Sequence, residues 1–206
     1  MNLVQTIITD DFVLMASETR GIFTDGKYAT GVNKVIKLND QIIFGCTGGS
    51  HDNYQLFNGF CSYSPDEGLL PIHTECNLTY SDFVEIITER FNKMYIAKHR
   101  STNKIPYEIM SVICGYNKDH FEATMFNIDG KKKSDSVCKV LKAPNFPYKG
   151  INAGNMIHLS TLHELVEKTF FSYGHITRDV RKAHSFRCGM DSTNNAYVDI
   201  ENIHIL

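Results

Sequence analysis

Tryptophan is absent from this 206-residue sequence, proline occurs only five times, and neither sign of charge prevails, the formal net charge being −2. Without a cationic excess there is no general pull toward nucleic acid or an acidic membrane surface, and neither partner is expected. The one compact basic run, Lys131-Lys132-Lys133, follows Asp129-Gly130 and reads as a solvated hairpin turn. No apolar run approaches the length of a membrane span. The six cysteines show no CxxC pairing and no HxxxH accompanies them, so neither a metal nor any other cofactor is expected. Several of them sit in strand-like apolar runs, where a thiol behaves as a small hydrophobe. No signal-peptide pattern opens the chain, and the cytoplasm is the expected compartment. What is present is ordinary: 42% hydrophobic and 21% charged residues, suited to one globular domain over 1–206 with a substantial core.

The chain is organised around Ile42-Ile43-Phe44-Gly45-Cys46-Thr47-Gly48-Gly49-Ser50-His51-Asp52. Its apolar run suits a strand covered on both faces. Gly48 and Gly49 then allow a sharp turn into a helix capped by Ser50 or Asp52 and carried on by Tyr54, Leu56, Phe57 and Phe60. Such a junction leaves backbone N–H groups pointing outward, where an oxyanion or a peptide carbonyl could sit. A tight turn without a ligand fits the same residues.

Elsewhere, Thr6-Ile7-Ile8-Thr9 and Phe12-Val13-Leu14-Met15-Ala16 read as a hairpin across Asp10-Asp11. Val35 to Leu38 and Gln41 to Phe44 form a second across Asn39-Asp40. A loop is expected from about Ser62 to Leu78, then a helix over about 80–98 with Phe83, Ile87, Phe91, Met94 and Tyr95 on one face. Strands follow at Tyr107 to Cys114 and Phe121 to Ile128, joined by a polar loop, with another near Val137 to Leu141. Thr161 and Glu164 make a capping box for one helix, a second spans about Ile176 to Arg187, and strand material closes the chain. Sheet blocks alternating with helix blocks suit two stacked antiparallel sheets with helices outside them.

Ala16-Ser17-Glu18-Thr19-Arg20, Lys34-Val35-Ile36-Lys37-Leu38 and Cys46-Thr47-Gly48-Gly49-Ser50-His51-Asp52 together resemble the proteasome β-subunit family. Its pattern is A-A-D-S-R, a lysine opening the next strand, then A-G-G-x-x-D, and the match runs without a gap from Ala16 to Asp52. Asp191 to Asp199 is loosely similar to the family's D-x-x-S-G-G stretch. The resemblance implies an α+β fold, a four-layer αββα sandwich of two antiparallel sheets, and membership of the N-terminal-nucleophile (Ntn) hydrolases. It implies threonine-type peptidase chemistry on a peptide or protein substrate, and assembly into a homo-oligomer. In that chemistry the first residue supplies a hydroxyl nucleophile and an α-amine of pKa about 8 that accepts its proton. By resemblance Lys34 is the activating lysine, Glu18 its partner carboxylate, Gly48 the oxyanion donor and Asp191 a supporting carboxylate. Val32, Ile36, Cys46, Gly49 and Ser50 would line a small, mostly apolar specificity pocket. An ion pair of Glu18 and Lys34 that braces two strands is the alternative duty for those two.

The nucleophile itself has two candidate positions. Extending the gapless match through the first hairpin places Asn2 there, which has neither hydroxyl nor thiol, and Met1 before so large a residue resists removal. Shortening each hairpin strand by two residues preserves the faces and brings Thr6 to the position. That register requires self-cleavage after Gln5, where family propeptides usually end in glycine; a strand threonine is the alternative role for Thr6. Around Ile151-Asn152-Ala153-Gly154-Asn155 the family's G-S-G turn is matched with Ala153 in place of serine, and Glu18 stands for the family's aspartate. Several supports altered together predict a proteasome-like subunit without peptidase activity, with an active enzyme self-processed at Gln5-Thr6 as the alternative. Cys46 beside the glycines is a third candidate nucleophile, or else a core thiol.

Overall fold

The computed structural model describes residues 3–8, 12–18, 21–22, 27–29, 31–48, 50–72, 76–99, 109–128, 137–142, 149–154 and 198–204. In chain order these carry β1 (Leu3–Ile8), β2 (Phe12–Glu18), β3 (Gly21–Ile22), β4 (Tyr28–Ala29), β5 (Val35–Asn39) and β6 (Ile42–Gly48). Next come α1 (Ser50–Phe57), β7 (Cys61–Ser64), β8 (Gly68–Pro71) and α2 (Tyr80–His99). The remaining strands are β9 (Ile109–Asn117), β10 (His120–Ile128), β11 (Val137–Lys142), β12 (Lys149–Gly154) and β13 (Val198–His204).

Two antiparallel sheets form the frame, one ordered β12-β1-β2-β13 and the other β11-β10-β9-β6-β5. Both expected hairpins are present, β1 with β2 and β5 with β6. Inward residues Val4, Ile8, Val13 and Met15 of the first sheet pack against Val35, Ile43, Val112 and Phe121 of the second. At Gly45 the sheets leave no room for a side chain: a Cβ there would lie 2.8 Å from Met15 Sδ and 3.1 Å from Val4 Cγ1. On its other face the five-stranded sheet carries α1 and α2, with Phe44 stacked on Phe57 at 4.3 Å between ring centroids. The continuous run Ile42-Ile43-Phe44 is thus explained, since alternate residues serve two buried layers.

α2 buries Phe83, Ile87 and Phe91 as its periodicity predicts. Thr79 caps it: its Oγ1 accepts from the Asp82 N–H at 3.2 Å and donates to the Asp82 carboxylate at 2.6 Å. Two expectations need correction. The Ser62 to Leu78 region is not all loop, because Cys61–Ser64 and Gly68–Pro71 pair as a separate two-stranded ribbon. The link between β9 and β10 is a two-residue turn with Lys118 at φ 62°, and not a longer polar loop. The helices expected over 161–187, which would supply the fourth layer, lie outside the described residues.

Candidate functional site

The glycine junction is held by a buried polar clamp. Asn53, in the first turns of α1, is fully buried; its Nδ2 donates to the Thr47 carbonyl at 2.7 Å, and its Oδ1 accepts from Ser111 Oγ at 2.7 Å. Ser111 stands on β9 directly across from Cys46. One side chain therefore ties the end of β6, the start of α1 and the neighbouring strand, fixing how the chain leaves Gly48. The apolar helix stripe gave no cue to Asn53, and Ser111 is 58 residues away in sequence. At the other end of α1, Arg90 Nη1 donates to the carbonyls of Leu56 at 3.1 Å and Asn58 at 2.6 Å, while its guanidinium lies 4.9 Å from the Phe60 ring centre. α1 is thus braced at both ends.

Beside this junction the structure gathers several of the expected residues. Lys34 immediately precedes β5, and its carbonyl accepts from the Cys46 N–H at 3.0 Å. Its side chain is buried despite the charge. Ile36 and Cys46 share the helix-facing apolar cluster, and Val32 is buried against Gly68. Burial pushes the Cys46 thiol up to about 12, Cys61 adds to the effect, and the positive charge of Lys34 opposes it. At neutral pH that leaves about one thiolate in 10⁵, which favours the core role for Cys46 over the nucleophilic one. Among the described residues no cluster of histidine, cysteine and carboxylate side chains is arranged to hold a metal ion.

Thr6 is located in the middle of β1, paired with Met15 on one side and Ile151 on the other. It is fully buried, and its Oγ1 has no hydrogen-bond partner of ordinary geometry. The Cys114 thiol is its neighbour: burial pushes that thiol up, and the Thr6 hydroxyl, donating toward the sulfur, acts in the opposite sense, though sulfur is only a weak acceptor. Ser17 Oγ and Thr47 Oγ1 are likewise buried without partners. Glu18 ends β2 opposite Val198, Gly48 ends β6 opposite Ile109, and Ser50 begins α1. The segment matched to the family's G-S-G turn is part of strand β12, with Ala153 across from Val4 and Gly154 across from Leu3. Gly49 and Asp191 lie outside the described residues.

No protein-family model matches the sequence, and no curated protein matches it. Solved structures do match. Over 98% of this chain and 99% of the other, the fold aligns with the crystal structure of eukaryotic HslV from Trypanosoma brucei, with a TM-score of 0.57 and 15% sequence identity. At that identity the likeness establishes how the chain is laid out, an HslV-type arrangement of two antiparallel sheets, and the chemistry has to be argued from the side chains themselves.

Proposed function

We propose that this chain is a proteasome-type Ntn hydrolase fold that lacks threonine peptidase activity and serves as a subunit or binding module for a peptide or protein, assembled with further copies of itself. The observation that carries this reading is the seating of Val4. It is fully buried between the sheets, against Gly45, and its strand neighbours are Ser17 and Ala153. Cleavage at Gln5-Thr6 would remove Val4 together with the pairings of Leu3 and Gln5. Losing one buried valine side chain costs about 1.5–3 kcal/mol. Packing therefore favours an uncut β1, and an uncut β1 leaves Asn2 at the family's nucleophile position, with no atom able to attack a carbonyl. Lys34 and the Gly48 junction would then persist as scaffold for a bound peptide.

One observation favours the alternative, an active threonine amidohydrolase: the Thr6 hydroxyl has no oxygen or nitrogen partner, only the weakly accepting Cys114 sulfur. Intact-mass spectrometry of the purified protein, before and after treatment with a threonine-directed epoxyketone, separates the two. The proposal expects no species beginning at Thr6 and no adduct. A chain beginning at Thr6 that forms an adduct, lost on Thr6→Ala, would overturn it.

A further inference from the structure

The ribbon β7–β8 belongs to neither sheet, yet it is fastened to the segment that carries Val32 and Lys34. The Asn33 N–H donates to the Glu67 carbonyl at 2.7 Å, and the Leu69 N–H donates to the Asn33 carbonyl at 2.9 Å. Between them Gly68 adopts φ +79°, with no room for a Cβ, which would collide with the Asn33 carbonyl and approach Val32 Cγ1 to 2.8 Å. The turn has to be glycine because two backbones meet there. Leu69 is 2% exposed and lies in the same apolar cluster as Ile36 and Cys46.

We infer that the β7–β8 hairpin is the built-in occupant of the apolar pocket walled by Val32, Ile36 and Cys46, with Leu69 filling the space that a ligand's side chain would take. The inference rests on the reading of those three residues as the pocket of this site. A two-stranded ribbon of four residues per strand is marginal by itself. It is held by two backbone hydrogen bonds to Asn33 and by its buried side chains, so it can lift as a unit while the sheets stay intact. The pocket is closed at rest and admits an apolar side chain only when the hairpin moves.

Cys46 reports on this directly, since it belongs to the pocket wall, whereas Cys114 is buried in the inter-sheet layer and reports general opening. The full chain is treated with iodoacetamide, and alkylation at each cysteine is followed by peptide mass mapping in wild type, Gly68→Ala and Leu69→Ala. The expected result is a rise of at least roughly tenfold at Cys46, with Cys114 unchanged, as local opening produces. Such a rise in either variant supports the inference. If neither variant raises Cys46 ahead of Cys114, it is wrong. No peptide ligand or catalytic readout is involved, so a failure here and a failure of the functional proposal are told apart.

Discussion

Against the helices, the five-stranded sheet presents Phe44, packed on Phe57 and Phe83, beside a polar clamp in which Asn53 satisfies both the Thr47 carbonyl and the Ser111 hydroxyl. Against the four-stranded sheet it presents Gly45 and Thr47, and in that layer the hydroxyls of Ser17 and Thr47 have no partner and that of Thr6 has only the Cys114 sulfur beside it. A buried hydroxyl without a partner costs about 1–3 kcal/mol, so the helix-facing layer is the one finished for stability. The inter-sheet layer carries unused polar capacity close to the end of the fold where the resemblance places its chemistry.

The comparison can be broken first at its strongest point. Phe44→Ala should cost about 3–5 kcal/mol, the range for removing a fully buried aromatic side chain, measured as a shift in the denaturant midpoint. A loss near that of a surface substitution would mean the helix layer is loosely packed. Asn53→Ala should cost about 2–3 kcal/mol, because it strands a carbonyl and a hydroxyl together, and Ser111→Ala should cost less, because only one partner is orphaned.

Alkali gives a gentler probe. The Cys46 and Cys61 thiols are both pushed up to about 12 by burial, from an ordinary value of 9.0. Above the ordinary value the unfolded chain releases thiol protons that the folded chain retains, so stability falls as pH rises. The contribution is intact below about 9 and is lost through about 12. Cys46→Ala should make the decline between those values shallower, as read from denaturation curves across that range; an unchanged slope would contradict the burial of this thiol.

The smallest expected effect has the opposite sign. Thr6→Val keeps the shape and removes an unsatisfied hydroxyl, so it should leave stability unchanged or raise it by up to about 1 kcal/mol. A loss comparable to that of Asn53→Ala would show that Thr6 has a partner after all, and the contrast between the layers would disappear.

Much of the frame could be read in advance because alternation and turn chemistry are local. Asp10-Asp11 and Asn39-Asp40 predict their hairpins, and Ile42 to Phe44 announces a strand buried on both faces. The stripe of Phe83, Ile87 and Phe91 likewise gives α2. What escaped depends on partners far along the chain. β12, Lys-Gly-Ile-Asn-Ala-Gly, has weak strand propensity of its own and is held by pairing with β1, some 145 positions earlier. The β7–β8 ribbon looks like a loop because Pro65 and Gly68 flank its turn, and Asn33 is what steadies it. At the candidate site, the nearness of Lys34 to Cys46 depends on a register shift between Lys37 and Asn39, whereas a turn centred on Asn39-Asp40 would set Lys34 opposite Gly45. The Asn53 clamp is equally hidden, since nothing local marks a helical asparagine as the mate of a serine three strands later.

α2 is tied to the sheet by polar contacts in its first turn and, three turns further on, by Phe91, whose ring lies 5.2 Å from that of Phe126. The Tyr80 ring covers Gly115, its hydroxyl is 2.9 Å from Thr124 Oγ1, and Ser81 Oγ donates to Asn117 Oδ1 at 2.9 Å. A helix of 20 residues is about 30 Å long, and these two anchor points lie roughly 16 Å apart along it. A methyl group placed at Gly115 would collide with the Gln41 carbonyl as well as press on Tyr80, so it would disturb the β5–β6 turn together with the start of the helix.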